Sequence, residues 1–422
     1  MGRKWWNDPK DWQLLLRVVV CRLCFGLFVI LADVLLPDHQ PEGAMIWPID
    51  DNFHWWKPFL RWDSIHFAKI VYRGYEFDLQ FAFFPLWPYV LKLLLPIADE
   101  AYLTLLSFTA NLILLVWSTF ILRKILLRAL KLQLSTERSN LLLSCAIFAH
   151  ILSPASIFFS SIYSESLYCV LKWSAILCLS QNKVLLSSLF IALASCTRST
   201  GSLNIVFVIT YMIYPIVTKA YAQISLRPFS TMSMSLWLSL CLLVLSATLP
   251  PLLWSSAGYY TMCNSSSSTS PSYCHSISPL SFYSHMQEMH WGVGLLRFYQ
   301  LRQLPNIMIG VLPCALALRF AARCVSQQMA SPPTNDNNTR LAMSLCADLI
   351  VHVVVVLLFA HVNIAMRVLA ASSPLMALSI ADAYLTEPRS RSDRMWRLIA
   401  RVVWIGYLVV GTALHANFFP WT

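Results

Sequence analysis

Apolar runs of about 18–22 residues recur along this 422-residue chain, separated by short polar stretches. A backbone in lipid must satisfy its own hydrogen bonds, so such runs fold as membrane-crossing helices. A transmembrane barrel needs alternating segments of about ten residues, and none is present. The expected class is an all-α polytopic membrane protein. Charged residues make up only 12% of the chain, about half the share in soluble domains. Each ionisable group inside or beside an apolar run is therefore informative.

The runs fall near 13–36, 101–122, 140–159, 163–180, 183–197, 202–217, 234–254, 305–322, 343–360, 366–385 and 397–415. That is about eleven transmembrane helices in one integral-membrane domain, 1–422. The stretch 81–97 is short and holds Pro85, Pro88 and Pro96, so it is expected to lie at the interface without crossing. This choice puts Arg123, Lys124, Arg128, Lys131 and Arg138 in the cytosol, together with Arg389, Arg391, Arg394 and Arg397, as the positive-inside rule asks. The N-terminus is then cytosolic. Arg17 and Arg22 interrupt the first run near its cytosolic end, where they can snorkel, and no cleavage site follows. The luminal side receives a first large loop, 37–100, a second, 255–304, and the tips near 160–162 and 198–201. The pair 183–197 and 202–217 reads as one broken helix or as a hairpin turning at Arg198–Gly201.

The net charge of +11 belongs to those cytosolic stretches, and no nucleic-acid-binding motif accompanies it. Most of the twelve cysteines lie in apolar runs and read as small core residues. Cys263 and Cys274 sit in a Ser-rich loop and suit a disulfide if that loop faces an oxidising lumen.

Candidate chemistry clusters at the luminal edge. In Arg61-Trp62-Asp63-Ser64-Ile65-His66-Phe67, the i,i+3 spacing puts Asp63 and His66 on one helix face. Asp63 suits a general base and His66 a hydrogen bond to phosphate or a sugar hydroxyl. The competing reading is an interfacial amphipathic helix with solvated polar residues. Glu165 begins an apolar run, where a carboxylate is costly and defaults to function, unless it only faces the helix dipole. Arg198 lies between two apolar runs and needs a carboxylate or phosphate partner, Glu165 among the candidates. His361, Asn363 and Arg367 begin another run, and Gln303 and Asn306 occupy a similar position. A single Asp rather than an Asp-x-Asp pair leans toward a metal-independent site with no cofactor.

The motifs then resemble a known family. RWDSIHFAKIVYRGYEFDLQFAFFPLWP is similar to the first luminal loop of the GPI mannosyltransferase 2 family. FSSIYSESLYCVLKWSA, CTRSTGSLNIVFV, WGVGLLRFYQLRQLPNIMIG, HVNIAMRVLAASSPLM and HANFFPWT follow in the same order across nearly the whole chain. The resemblance implies a GT-C-type fold in the endoplasmic reticulum membrane, with a luminal catalytic loop carrying interfacial helices. It implies dolichyl-phosphate mannose as donor and the mono-mannosylated glucosaminyl-phosphatidylinositol intermediate as acceptor. The product would be the α-1,6-linked second mannose, made with inversion because the donor is β-linked. The family's Trp-Asp pair falls on Trp62 and Asp63, and His66 completes WDxxHF. On this reading Trp62, Asp63 and His66 are catalytic, and Glu165, Arg198, Gln303, Asn306, His361 and Arg367 bind substrate. The family usually reads Arg-Ser-Asn-Gly where this chain has Arg198-Ser199-Thr200-Gly201. A small membrane partner subunit is compatible with the pattern. Without the resemblance, a lipid or solute transporter or scramblase competes, although no internal repeat supports it.

The chain holds two sequons, at Asn264 and Asn337, and the expected topology makes only the first luminal. Expression in a glycosylating cell should give one glycan, removed by endoglycosidase and abolished by Asn264→Gln. A shift that survives Asn264→Gln and disappears with Asn337→Gln would invert the topology.

Overall fold

The computed structural model describes residues 9–39, 54–94, 100–129, 137–222, 233–263, 271–329 and 336–419. Among the described residues every regular element is helical. In chain order the α-helices are α1 (Pro9–Leu35), α2 (Asp63–Arg73), α3 (Leu86–Leu94), α4 (Glu100–Ala129), α5 (Glu137–Ile151), α6 (Glu165–Leu179), α7 (Val184–Ser195) and α8 (Asn204–Ala222). There follow α9 (Met234–Cys263), α10 (Phe282–Trp291), α11 (Leu304–Met329), α12 (Asn337–Phe359), α13 (Ala365–Ser372), α14 (Pro374–Leu385), α15 (Arg391–Arg401) and α16 (Thr412–Ala416). A π-helical segment, Val402–Gly411, joins the last two.

Seven helices among the described residues are long and apolar enough to cross a membrane, or eight if one bent pair counts as a span. The chain is a multi-pass membrane protein, but the expected count of eleven is not reached. The runs at 140–159, 163–180 and 183–197 contain helices of only 15, 15 and 12 residues. At 1.5 Å per residue these reach about 22, 22 and 18 Å, short of a hydrocarbon core about 30 Å thick. Their apolar character has another origin. Most of α6 is buried against α4, α7, α12 and α13, so its side chains meet protein on most faces. The run 366–385 also differs from expectation. It breaks at Ser373–Pro374 into two arms bent by 106°. Proline removes a helical donor and pushes the residue before it into extended backbone, and Ser373 sits at φ −119°, ψ 122°. The nine residues of α3 span about 14 Å and cannot cross.

Arg22 departs from its expected role. It does not snorkel but turns inward, 2% exposed. Its guanidinium donates to the carbonyls of Ile151 and Ser156 and to Ser160 Oγ. The chain between α5 and α6 is largely irregular, so those carbonyls need a donor that lipid cannot supply.

A buried ion pair ties α6 to α12. Lys172 Nζ donates to both oxygens of Asp348 at 3.1 and 3.0 Å and lies 3.3 Å from His352 Nε2. All three side chains are inaccessible, so removing one partner strands a charge. Asp348→Ala should lower unfolding free energy by about 3–5 kcal/mol in a denaturant titration in micelles. The double replacement Lys172→Met with Asp348→Leu should return most of it, because an apolar pair of similar volume removes the stranded charge.

Candidate functional site

Four segments meet at one end of the helical body: the start of α2, the start of α6, the break after α7, and α13. Each brings one charged side chain. Glu165, the first residue of α6, is fully buried, and its Oε1 accepts from Arg367 Nε and forms an ion pair with Arg198 Nη1. Arg367 Nη1 also donates to Asp63 Oδ2 at 2.8 Å. The order Asp63, Arg367, Glu165, Arg198 alternates in sign and sums to zero. Such a network tolerates burial where an isolated charge would not.

The members are not equally engaged. Arg367 is held by two carboxylates, and its guanidinium lies 4.8 Å from the Phe158 ring centre and 4.7 Å from that of Tyr163. Arg198 pairs with Glu165 through Nη1 and keeps 14% of its side chain exposed, and its Nε and Nη2 groups make no hydrogen bond among the described residues. Asp63 is 27% exposed, with Oδ2 on Arg367 and Oδ1 without a protein partner among the described residues. The arrangement thus presents one open carboxylate oxygen and one guanidinium with spare capacity.

Local sequence explains each placement. Arg198 lies in extended backbone between α7 and the 3₁₀ turn Ser199–Leu203. Gly201 permits that turn to sit on α7, because a Cβ there would fall 2.4 Å from the Ser195 Cα. Tyr168 from α6 donates to the Thr200 carbonyl at 3.1 Å. Trp62 precedes α2 at φ +57°, ψ −133°, a backbone region that favours glycine. Its indole N–H is also buried without a hydrogen-bond partner among the described residues. The conformation is maintained by its neighbour. Arg61 donates to Asp33 at 2.8 Å, to Asp38 at 3.0 Å and to the Ala416 carbonyl at 2.9 Å, and it stacks on Phe418 at 4.2 Å. The C-terminal segment therefore braces the loop that carries Asp63.

His66 lies one turn from Asp63, mostly buried and stacked on Phe83 at 5.2 Å. Burial pushes its imidazole below the ordinary 6.5, against the opposing pull of Asp63. The folded chain then binds that proton less readily than the unfolded one. This contribution to stability is complete above pH 6.5 and shrinks as the pH falls below it. Gln303, Asn306 and His361 gather elsewhere, around segment 291–306. Asn306 donates to Gln303 Oε1 at 2.8 Å, and His361 stacks on Phe298 at 4.7 Å. Arg61, Tyr163 and His415 were not singled out from sequence, although Tyr163 Oη reaches both the Arg61 carbonyl and His415 Nε2 at 3.3 Å. Their signal lay in the motifs RWDSIHF, FSSIYSES and HANFFPWT, where aromatic and polar residues read as interfacial.

The loops on this side interlock. His290 lies 3.4 Å from Asp78, and Tyr273 donates to Asp78 at 3.2 Å. Cys263 and Cys274 form a disulfide. The sequon at Asn264 lies outside the described residues. Among the described residues no group of three or more His, Cys, Asp or Glu side chains comes together as a metal site.

The model of the mannosyltransferase (PIG-V) family matches residues 13–422. GPI alpha-1,6-mannosyltransferase 2 of Cricetulus griseus is 27% identical, the match covering 99% of this chain and 100% of that protein. The Homo sapiens protein of the same name is 26% identical over the same shares. GPI mannosyltransferase 2 of Drosophila pseudoobscura pseudoobscura is 23% identical, covering 93% and 96%. Among solved structures, the archaeal oligosaccharyltransferase AglB from Archaeoglobus fulgidus, in complex with an inhibitory peptide and a dolichol-phosphate, aligns at a TM-score of 0.49 and 12% identity. That alignment covers 99% of this chain and spans 57% of the archaeal one.

Glu165→Gln should cost about 3–5 kcal/mol of stability by leaving two buried guanidinium groups undercompensated. Asp63→Asn, at a partly exposed position, should cost about 1 kcal/mol or less. Denaturant titration of both variants in the same micelles checks the contrast.

Proposed function

The chain belongs to the mannosyltransferase (PIG-V) family, and from that premise we propose that it transfers mannose from dolichyl-phosphate mannose to the mono-mannosylated glucosaminyl-phosphatidylinositol intermediate. The product is the α-1,6-linked second mannose of the GPI anchor. The helical polytopic architecture suits a GT-C-type enzyme of the endoplasmic reticulum, working as one integral-membrane domain. The observation that carries the chemistry is the alternating network from Asp63 to Arg198.

Asp63 Oδ1 takes the proton of the acceptor 6-hydroxyl as that oxygen attacks the anomeric carbon. The carbon–oxygen bond to the donor phosphate breaks on the opposite face, and the phosphate leaves with the electron pair. One displacement converts the β-linked donor into an α-linked product, through an oxocarbenium-like transition state. A phosphate leaving group needs charge stabilisation more than a proton. Arg198 supplies it from its spare donors, with Arg367 behind it. The charge balance favours this division of labour. Before reaction the four side chains sum to zero. When Asp63 accepts the proton the network becomes cationic, just as the departing phosphate gains its full negative charge.

Trp62 fixes the direction in which Asp63 leaves the loop, and neutral His66 offers a hydrogen bond without competing for the phosphate. Glu165 orients both guanidinium groups. The site needs no metal in this scheme, since guanidinium groups perform the electrostatic role. Three features support a luminal site with a cytosolic N-terminus. The four network segments share one end of the molecule, and the Cys263–Cys274 disulfide closes a loop on the same side. At the other end Arg123 pairs with Asp11, and Arg319 and Arg323 pair with Asp382.

In cells lacking the second GPI mannosyltransferase, the parent chain should restore surface GPI-anchored proteins. Asp63→Asn should not, and the mono-mannosylated intermediate should accumulate. In vitro, Arg198→Ala should raise the donor KM and lower kcat, together at least tenfold in kcat/KM, as loss of a charge-assisted contact to the leaving phosphate requires. Normal transfer by Asp63→Asn would remove the base assignment.

A further inference from the structure

Segment 291–306 takes no part in the reaction scheme, yet it is built with care. Helix α10 ends at Gly292 in left-handed backbone, and the next residues fold back onto the end of α12. Leu296 N donates to the Leu358 carbonyl at 2.7 Å, and Tyr299 Oη donates to the Leu357 carbonyl at 2.8 Å. His361 holds the segment from below, stacked on Phe298 and hydrogen-bonded to the Trp291 backbone. The fold encloses a cleft of about 250 Å³, lined by Trp291, Arg297, Phe298, Gln300, Arg302 and Gln303.

Three observations define what fits there. Arg297 is already paired with Glu288 at 2.5 Å, whereas Arg302 has no ion-pair partner among the described residues. The cleft therefore holds one uncompensated positive charge. Trp291 offers an aromatic wall; Gln303, whose oxygen accepts from Asn306, offers its amide donors, and Gln300, which donates to the Arg297 carbonyl, offers its amide oxygen, the combination that recognises sugar hydroxyls and C–H faces. The flanking Leu295, Leu296, Leu301 and Leu304 are exposed, Leu301 at 92%, which places the cleft mouth at the membrane interface. A ligand at that depth is carried by a lipid. The cleft is also connected to the reacting end. His66 stacks on Phe83, and Phe83 meets Trp291 edge-on at 6.1 Å.

We infer that this cleft is the acceptor subsite, binding the phosphoinositol–glucosamine end of the lipid acceptor with Arg302 on the phosphodiester and Trp291 and Gln303 on the sugar. The inference rests on the proposed reaction, in which Arg198 already holds the donor phosphate. Both substrates are lipid-borne phosphates carrying sugar, so the two sources share one chemistry. The acceptor is favoured because its phosphate lies several sugar-ring widths from the reacting hydroxyl. A second cationic cleft beside the network, outside it but joined through Trp291, meets that need.

The test uses the full chain in phosphatidylcholine nanodiscs. Arg302→Ala and Gln303→Ala should raise the KM for the glycolipid acceptor about tenfold, the size of one charge-assisted contact. The donor KM and kcat should stay within about twofold. Radiolabelled glucosaminyl-phosphatidylinositol, added without donor, should bind the parent and Asp63→Asn equally and bind Arg302→Ala weakly. A rise in donor KM instead would assign the cleft to the donor phosphate and overturn the inference. Unchanged acceptor KM and unchanged glycolipid binding would overturn it outright. Binding that depends on Arg302 in a parent that transfers no mannose would uphold the cleft and overturn the proposed reaction. Arg302 is exposed, and unchanged thermal unfolding of the variants verifies that they fold.

Discussion

A single carboxylate, that of Glu165, sets the terms for the rest of the molecule. It is fully buried, and a charge in that position persists only if countercharges and donors surround it. Arg198 and Arg367 provide them, from segments that lie 33 and 202 residues away in the chain. Two guanidinium groups on one carboxylate leave a surplus positive charge, which Asp63 neutralises. The open carboxylate and the available guanidinium are therefore consequences of one electrostatic requirement rather than separate features.

The helical architecture serves that requirement through its interruptions. Helix α6 begins with Glu165 and carries Lys172 seven residues on, on the same face. Its two buried ion contacts fix it against α13 and α12. The break after α7 places Arg198, and Gly201 lets that break lie against α7. The bend at Ser373–Pro374 frees α13 to present Arg367 as a short segment. At the mouth, Arg61 and the C-terminal residues brace Trp62 in a backbone region a tryptophan seldom adopts. Regular spans form the body, and the departures from regularity bring the charged groups together.

Much of the network was legible in the sequence because charged residues at the edges of apolar runs are costly and rare. Asp63, Glu165, Arg198 and Arg367 stand out on that basis alone. Lys172, Asp348 and His352 carry the same signal inside their runs, with Asp348 and His352 in i,i+4 register, where a charge is costlier than at a run edge and needs a partner the sequence does not name. Arg22 was read as snorkelling because its position near a run end fits that habit; only the unpaired carbonyls of a distant segment reveal the inward course. The span count of eleven is not confirmed, and the shortfall includes α5, α6 and α7. Hydropathy measures how much a residue avoids water and does not distinguish burial in lipid from burial in protein. Gln303 and His361 were grouped with the network because they share its side of the membrane, yet the fold assembles them around a separate cleft.

The sequence by itself determined that the chain lives in a membrane, that its elements are helices, and which ionisable groups carry a desolvation cost. Those properties are local: each follows from a residue and its near neighbours along the chain. The tertiary structure alone decided which charge meets which, where the helices break off short, and how a loop at Arg302 comes to lie on the same side as the network from Asp63 to Arg198. Coulomb attraction and packing depend on distances in space, and residues 63 and 367, separated by 304 positions, acquire theirs only when the intervening helices have packed.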